Sequence, residues 1–232
     1  MTRSLFLTGG TSGIGLKLAS LLISEGYHIV SIGRRLPPIA AGSSGLITQL
    51  DADLAEDGYA SRLSSWLDAH GERFDFVGFI HCAGRGDTRP ILDTTIDSIS
   101  EQVKVNLLSA ILIGKLVLPY LNRIDSRVYF LGSRARRFPF LGGSAYCASK
   151  AGLHALSDCL ALEARQLGWN IGITIFEFGT VATGFAGVPK GPTQISELGA
   201  SEFIMESLRR PLDDFVPRVV EVVPSVKRLL NA

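Results

Sequence analysis

The chain has 232 residues, 46% of them hydrophobic and 19% charged, with a formal net charge of +1 at pH 7. That balance suits a sheet-centred core and gives no general reason to expect a nucleic acid or an anionic membrane as partner. Three cysteines without a Cys-x-x-Cys pair (Cys82, Cys147, Cys159) and four histidines without ligand spacing (His28, His70, His81, His154) point to reduced thiols, a cytoplasmic location and no metal site.

The apolar run Ser4-Leu-Phe-Leu7 is too short for a signal-peptide core and reads as a strand over 3–8. It leads into Thr8-Gly-Gly-Thr-Ser-Gly-Ile-Gly15 and then the amphipathic run Leu16–Ile23. Strand, glycine turn and helix form the context that a dinucleotide-binding motif requires. Glycines let the backbone approach a pyrophosphate, and the helix N-terminus offers unpaired N–H groups. Gly9, Thr11, Ser12, Gly13, Ile14 and Gly15 are therefore candidate cofactor contacts. A second strand, 28–33, runs into Arg34-Arg35. A carboxylate there would bond the ribose hydroxyls of NAD, whereas arginines accept the 2′-phosphate of NADP, so NADP (NADPH) is favoured over NAD. The bland alternative is a pair of solvated arginines.

Gly42-Ser-Ser-Gly45 reads as a loop before a third strand, 46–50, and helices are expected to begin near Gly58 and Ile96, with a strand at 75–81 between them. Asn106 stands mid-helix among valines and leucines, where asparagine is a mediocre helix former. The apolar stretch Asn106–Leu121 contains Lys115 and Pro119 and falls short of a membrane span, so no stable membrane insertion is expected. A strand at 127–132 ends at Ser133. Tyr146 and Lys150 follow, four apart, on one face of a helix beginning near Tyr146. The ammonium is expected to draw the phenol's pKa down from ~10, and Ser133 to hold the oxygen atom that Tyr146 protonates. That is equipment for interconverting an alcohol and a carbonyl. A strand at 171–177 and a helix from Ile195 complete an alternation that predicts βαβ units, a parallel sheet and a single α/β domain over 1–232.

Thr8-Gly9-x-x-x-Gly13-x-Gly15, Asn106, Ser133 and Tyr146-x-x-x-Lys150 together resemble the short-chain dehydrogenase/reductase family, over about residues 3–185. The resemblance implies a Rossmann-type, doubly wound parallel sheet in three layers, a nicotinamide cofactor and a small-molecule carbonyl or alcohol substrate. Tyr146 would be the general acid/base, with Lys150 lowering its pKa and holding the ribose. Ser133 would orient the carbonyl, and Asn106 would hold a relay water. Asp53-Leu54, or alternatively Asp51, would meet the adenine. His81-Cys82-Ala83-Gly84 stands where the family has Asn-Asn-Ala-Gly, so Cys82, Ala83 and Gly84 border the cofactor and His81 serves as a hydrogen-bonded stand-in for asparagine. Phe178 replaces the family's proline before Gly179, Val181 and Thr183, which would lie near the carboxamide at a less rigid loop start. A substrate-binding loop is expected at about 180–205.

The basic run Arg134, Arg136 and Arg137, with Arg85, is either a receptor for an anionic substrate or a solvated loop. The C-terminal segment, about 212–232, is atypical for the family and reads as a strand plus short helix. Two segments, 103–121 and 146–167, are apolar around much of their circumference and predict a homo-oligomer, a dimer before a tetramer. The rival to an enzyme is a silent NADP-binding sensor or scaffold, which a complete Asn-Ser-Tyr-Lys set disfavours.

Overall fold

The computed structural model describes residues 2–39, 44–121, 125–187, 189, 191, 193–212 and 216–224. Seven runs rich in branched and aromatic residues pair into one all-parallel sheet: β1 (Arg3–Thr8), β2 (His28–Gly33), β3 (Ile47–Asp51), β4 (Asp75–His81), β5 (Ser126–Leu131), β6 (Ile171–Phe178) and β7 (Val219–Val222). Six of them lie within a residue or two of the expected positions. β7 realises the strand expected in the C-terminal segment; residues 225–232, where a short helix is expected, lie outside the described residues, as do Gly42 and Ser43 of the expected loop.

Side chains alternate across the pleat, so each strand feeds two cores. In β1, Phe6 points to one face and Leu5 and Leu7 to the other, all fully buried. The first face is covered by α2 (Tyr59–His70), α4 (Ser109–Val117) and α5 (Ser144–Gln166), with α3 (Ile96–Val103) packed beside α5, and the second by α1 (Gly13–Ser24) and α6 (Glu197–Arg209). Burying each such side chain contributes roughly 1.5–3 kcal/mol. The result is the three-layer, doubly wound α/β fold expected. The strand order β3-β2-β1-β4-β5-β6-β7 reverses direction at β1 and β4, and at such a switch point the loops leaving the strand ends splay apart into a crevice.

Asn106 does not sit in a regular helix. Lys104–Leu108 is a π-helical turn between α3 and α4. The continuous helical stretch Ile96–Tyr120 is long and apolar enough to cross a membrane by length and composition, but Ala110, Ile113 and Val117 are fully buried in the sheet's core. The expectation that 103–121 and 146–167 leave many apolar side chains uncovered is corrected in part. Leu153 is fully buried, and Val105, Leu107, Leu112, Leu116, Leu156 and Leu160 pack on the core, leaving Val103, Leu108, Ile111, Leu162 and Leu167 exposed.

Candidate active site

A cleft of about 790 Å³ opens over the strand ends at the switch point. Its lining includes Gly9, Ser12, Gly13, Ile14 and Gly15 from the β1–α1 turn, and Cys82, Ala83 and Gly84 after β4. Ser133 follows β5, Tyr146 and Lys150 come from α5, and Gly179, Val181 and Thr183 follow β6. Elements spread over the chain from residue 9 to 183 thus meet in one crevice.

The glycine turn is dictated by space. Gly9 has φ +70°, and a Cβ there would lie 2.7 Å from Ala83 N, while a Cβ on Gly15 would collide with the Gly9 carbonyl. Opposite, Thr8 ties β1 to β4: its hydroxyl accepts a hydrogen bond from Ala83 N at 3.1 Å and pairs with His81 Nδ1 at 3.0 Å. His81 is fully buried, and burial first, then the Lys150 charge, pulls its pKa down to about 3. A neutral imidazole that accepts from Thr8 braces the sheet, as expected of a residue standing in for asparagine. Burial pushes the neighbouring Cys82 thiol up to about 12, which leaves it an inert thiol.

Asn106 is fully buried beside Gly84, in the π-helical turn. Its Oδ1 accepts Arg85 N at 2.7 Å, and its Nδ2 donates to Arg85 O at 2.9 Å and to Ser149 Oγ at 2.9 Å. A Cβ on Gly84 would sit at ordinary contact distance, 3.7 Å, from both Asn106 Oδ1 and Lys150 Nζ, so Gly84 lies against both side chains. Lys150 donates to the Leu131 carbonyl at 2.8 Å, and its burial lowers its pKa to about 8.

The expected effect of Lys150 on Tyr146 is corrected. The phenol's pKa is raised, because burial disfavours the tyrosinate; the Ser133 hydroxyl beside it opposes that rise. Lys150 Nζ lies 5.8 Å from the Tyr146 ring centroid and bonds the β5 backbone instead. Ser133 Oγ also accepts from Ala135 N at 3.1 Å, which fixes the hydroxyl at the end of β5.

Thr11, Arg34, Arg35, Asp53, Leu54 and Asn106 are absent from the lining of the cleft. Arg34 and Arg35 follow β2, and Arg34 lies 3.6 Å from Asp53, whose other oxygen accepts Ala55 N at 2.9 Å. The Leu54 side chain belongs to the core, which leaves only its backbone for a ligand.

Loss of the proline at Phe178 does not leave the loop start loose. β7 grips it: Phe178 pairs with Val222, and Gly179 N donates to Val222 O at 2.7 Å. The following turn packs the Thr183 methyl against Gly13, where a Cβ would be 3.2 Å away.

The arginines near Ser133 are neither free anion receptors nor simply solvated. Glu177, fully buried in β6, takes Arg136 Nε and, at 3.3 Å, Arg137 NH2, while Glu221 in β7 takes Arg137 and, at 2.6 Å, Arg134 Nε. Arg85 pairs with Glu101 at 2.8 Å. Sequence reasoning missed Glu177 and Glu221; a carboxylate inside a strand is the available signal, since burial requires a partner. The segment 134–140 that follows Ser133 was expected to border the substrate pocket, and its Phe138 and Phe140 do line the cleft; Phe185, which lines it as well, was missed.

Residues 3–189 match the family model of short chain dehydrogenases. A probable short-chain type dehydrogenase/reductase of Helicobacter pylori is 30% identical over 176 residues, 75% of this chain and 64% of that protein, so the match spans less than two thirds of the relative's length. The solved alcohol dehydrogenase of Thermococcus sibiricus, complexed with 5-hydroxy-NADP, superposes with a TM-score of 0.83 at 21% identity, covering 97% of each chain. A short chain dehydrogenase of Burkholderia cenocepacia in complex with NADP gives 0.79 at 22%, covering 96% of each. With its glycine turn, its buried asparagine and its serine, tyrosine and lysine gathered at the sheet's switch point, the chain belongs to the short-chain dehydrogenase/reductase family.

Proposed function

We propose that the chain is an NADP(H)-dependent oxidoreductase that interconverts a small-molecule carbonyl and an alcohol, with Tyr146 as general acid/base. The observation that carries this reading is that Ser133, Tyr146 and Lys150 line the same cleft as the glycine turn. The cleft suits a dinucleotide: side chains are missing where a pyrophosphate would approach, at Gly9, Gly13 and Gly15, and Gly84 lies against Lys150. When bound, the nicotinamide would supply or accept the hydride. The remaining work falls to this chain's residues. Tyr146, protonated at neutral pH because burial raises its pKa, donates to the carbonyl oxygen that Ser133 orients. Lys150 holds the ribose, and Asn106, one glycine away from it, anchors the proton relay. Arg34 and Arg35 at the end of β2 support NADP over NAD, with Asp53 beside Arg34 as the adenine's partner.

The test is turnover of NADPH with a panel of carbonyls, with Tyr146→Phe as control. We expect turnover to fall ~10²–10⁴-fold in the variant, with cofactor affinity kept, because the ring still packs. Unchanged turnover moves the catalysis elsewhere. The exposed Leu108, Ile111 and Leu162 support self-association as a dimer, to which light scattering giving the 24.9 kDa monomer mass would be the contrary result. The three free thiols support a cytoplasmic location.

A further inference from the structure

Resting on the oxidoreductase reading above, we infer that the substrate half of the cleft is built for a neutral carbonyl compound bearing an aromatic ring, and that Phe140 and Phe185 select it. Both rings lie beside Tyr146, with centroids 6.3 Å and 5.7 Å from the Tyr146 ring. Phe185 belongs to the turn after β6 and Phe140 to the segment after β5, so two separate segments each bring a ring to the proton donor in the same cleft. Phe138 adds a third ring at the mouth, stacked 4.8 Å beneath the Arg134 guanidinium. These rings are 37–57% exposed. Apolar aromatic area left open beside a proton donor gains most from a flat apolar ligand, through area burial and ring–ring geometry.

The charges of the cleft point the same way. Among the described residues, three charged side chains line it: Asp87, Arg134 and Lys150. Asp87 accepts from Arg89 and, at 2.7 Å, from Ser98 Oγ; Arg134 Nε faces Glu221; Lys150 donates to Leu131 O. An anionic substrate would have to shed its hydration against groups already partnered, at a cost that a neutral one avoids. The phenylalanines reward a ring, and Asp87 and Arg134, each held in an ion pair, offer little to a carboxylate or phosphate.

The experiment measures kcat/KM with NADPH for two matched pairs. Phenylacetone and cyclohexylacetone differ in the ring alone; methyl phenylglyoxylate and phenylglyoxylate differ in charge. We expect phenylacetone to lead cyclohexylacetone by roughly 2- to 10-fold, the scale of ring–ring geometry. The ester should lead the acid by at least about 10-fold. Phe140→Leu and Phe185→Leu keep apolar volume without a ring and should bring the first ratio close to one. A ratio near one in the wild type, or preference for the acid, overturns the inference while leaving the activity intact. If nothing turns over, the activity reading fails, and saturation-transfer NMR of phenylacetone with NADP⁺ present decides the pocket separately. A signal lost in either leucine variant supports it, and no signal with the wild type overturns it.

Discussion

The glycine-turn half of the cleft and its phenylalanine half are held by different means. Around Gly9 and Gly15 the shape is set by backbone: absent side chains, a positive φ and the short tie from Thr8 to Ala83 and His81. Around Ser133 it is set by side chains from distant elements, with Glu177 in β6 and Glu221 in β7 holding the arginines that follow β5. The first half is a local consequence of strand, turn and helix, and it tolerates little change. The second is an arrangement of charges that depends on partners brought together from β6, β7 and the segment after β5.

The sharpest way to break the first half is acid. His81 is neutral in the fold with a pKa near 3, against 6.5 in the unfolded chain. Between those values the unfolded chain binds a proton that the folded one excludes, so stability falls as pH drops through that window. The loss should be on the order of 4 kcal/mol by pH 3. Urea denaturation at a series of pH values should show it, and His81→Asn should flatten that limb; coincident limbs for the two proteins would show that burial of this imidazole is not responsible. A Cβ at Gly9 is the next test. Gly9→Ala forces contact with the Ala83 backbone and should cost about 1–3 kcal/mol and weaken cofactor binding together, read by melting and by NADPH fluorescence titration.

The second half should yield less. Glu177→Gln strands Arg136 and Arg137 without their buried carboxylate. The loss should stay below the roughly 3–5 kcal/mol of a fully buried pair, because Arg137 remains 42% exposed. Chemical denaturation measures it, and no change would mean that the arginines find equal partners in water. The smallest effect is expected at the outer edge of the glycine-turn half. Arg34→Ala with Arg35→Ala should weaken NADPH about 10-fold and leave NADH nearly unchanged, since a charge-assisted bond contributes roughly 1.5–3 kcal/mol and these side chains are solvated. Equal weakening of both cofactors in a binding titration would remove the NADP assignment.

The strands were legible because their branched and aromatic runs have no other stable arrangement in a chain of this composition, and the glycine turn because its spacing has a local steric meaning. Ser133, Tyr146 and Lys150 were legible by type and order, but not by electrostatics. Helical spacing placed the lysine near the tyrosine, while only the packed fold could show that Lys150 reaches the Leu131 carbonyl and that burial dominates the phenol. The π-helical turn that turns Asn106 inward also escaped the sequence, because a one-residue insertion leaves little mark on apolar periodicity.

Local chemistry therefore came from the sequence alone: the parallel α/β sheet, the dinucleotide turn and the identity of the residues that line the cleft beside it. The tertiary structure decided what depends on partners far apart in the chain. It set which carboxylate takes which arginine, how β7 secures the loop after Phe178, and which phenylalanines stand beside Tyr146. The physical reason is range. Backbone conformation is fixed by neighbours within a few residues, whereas burial and charge pairing are properties of a packed interior that no single segment contains.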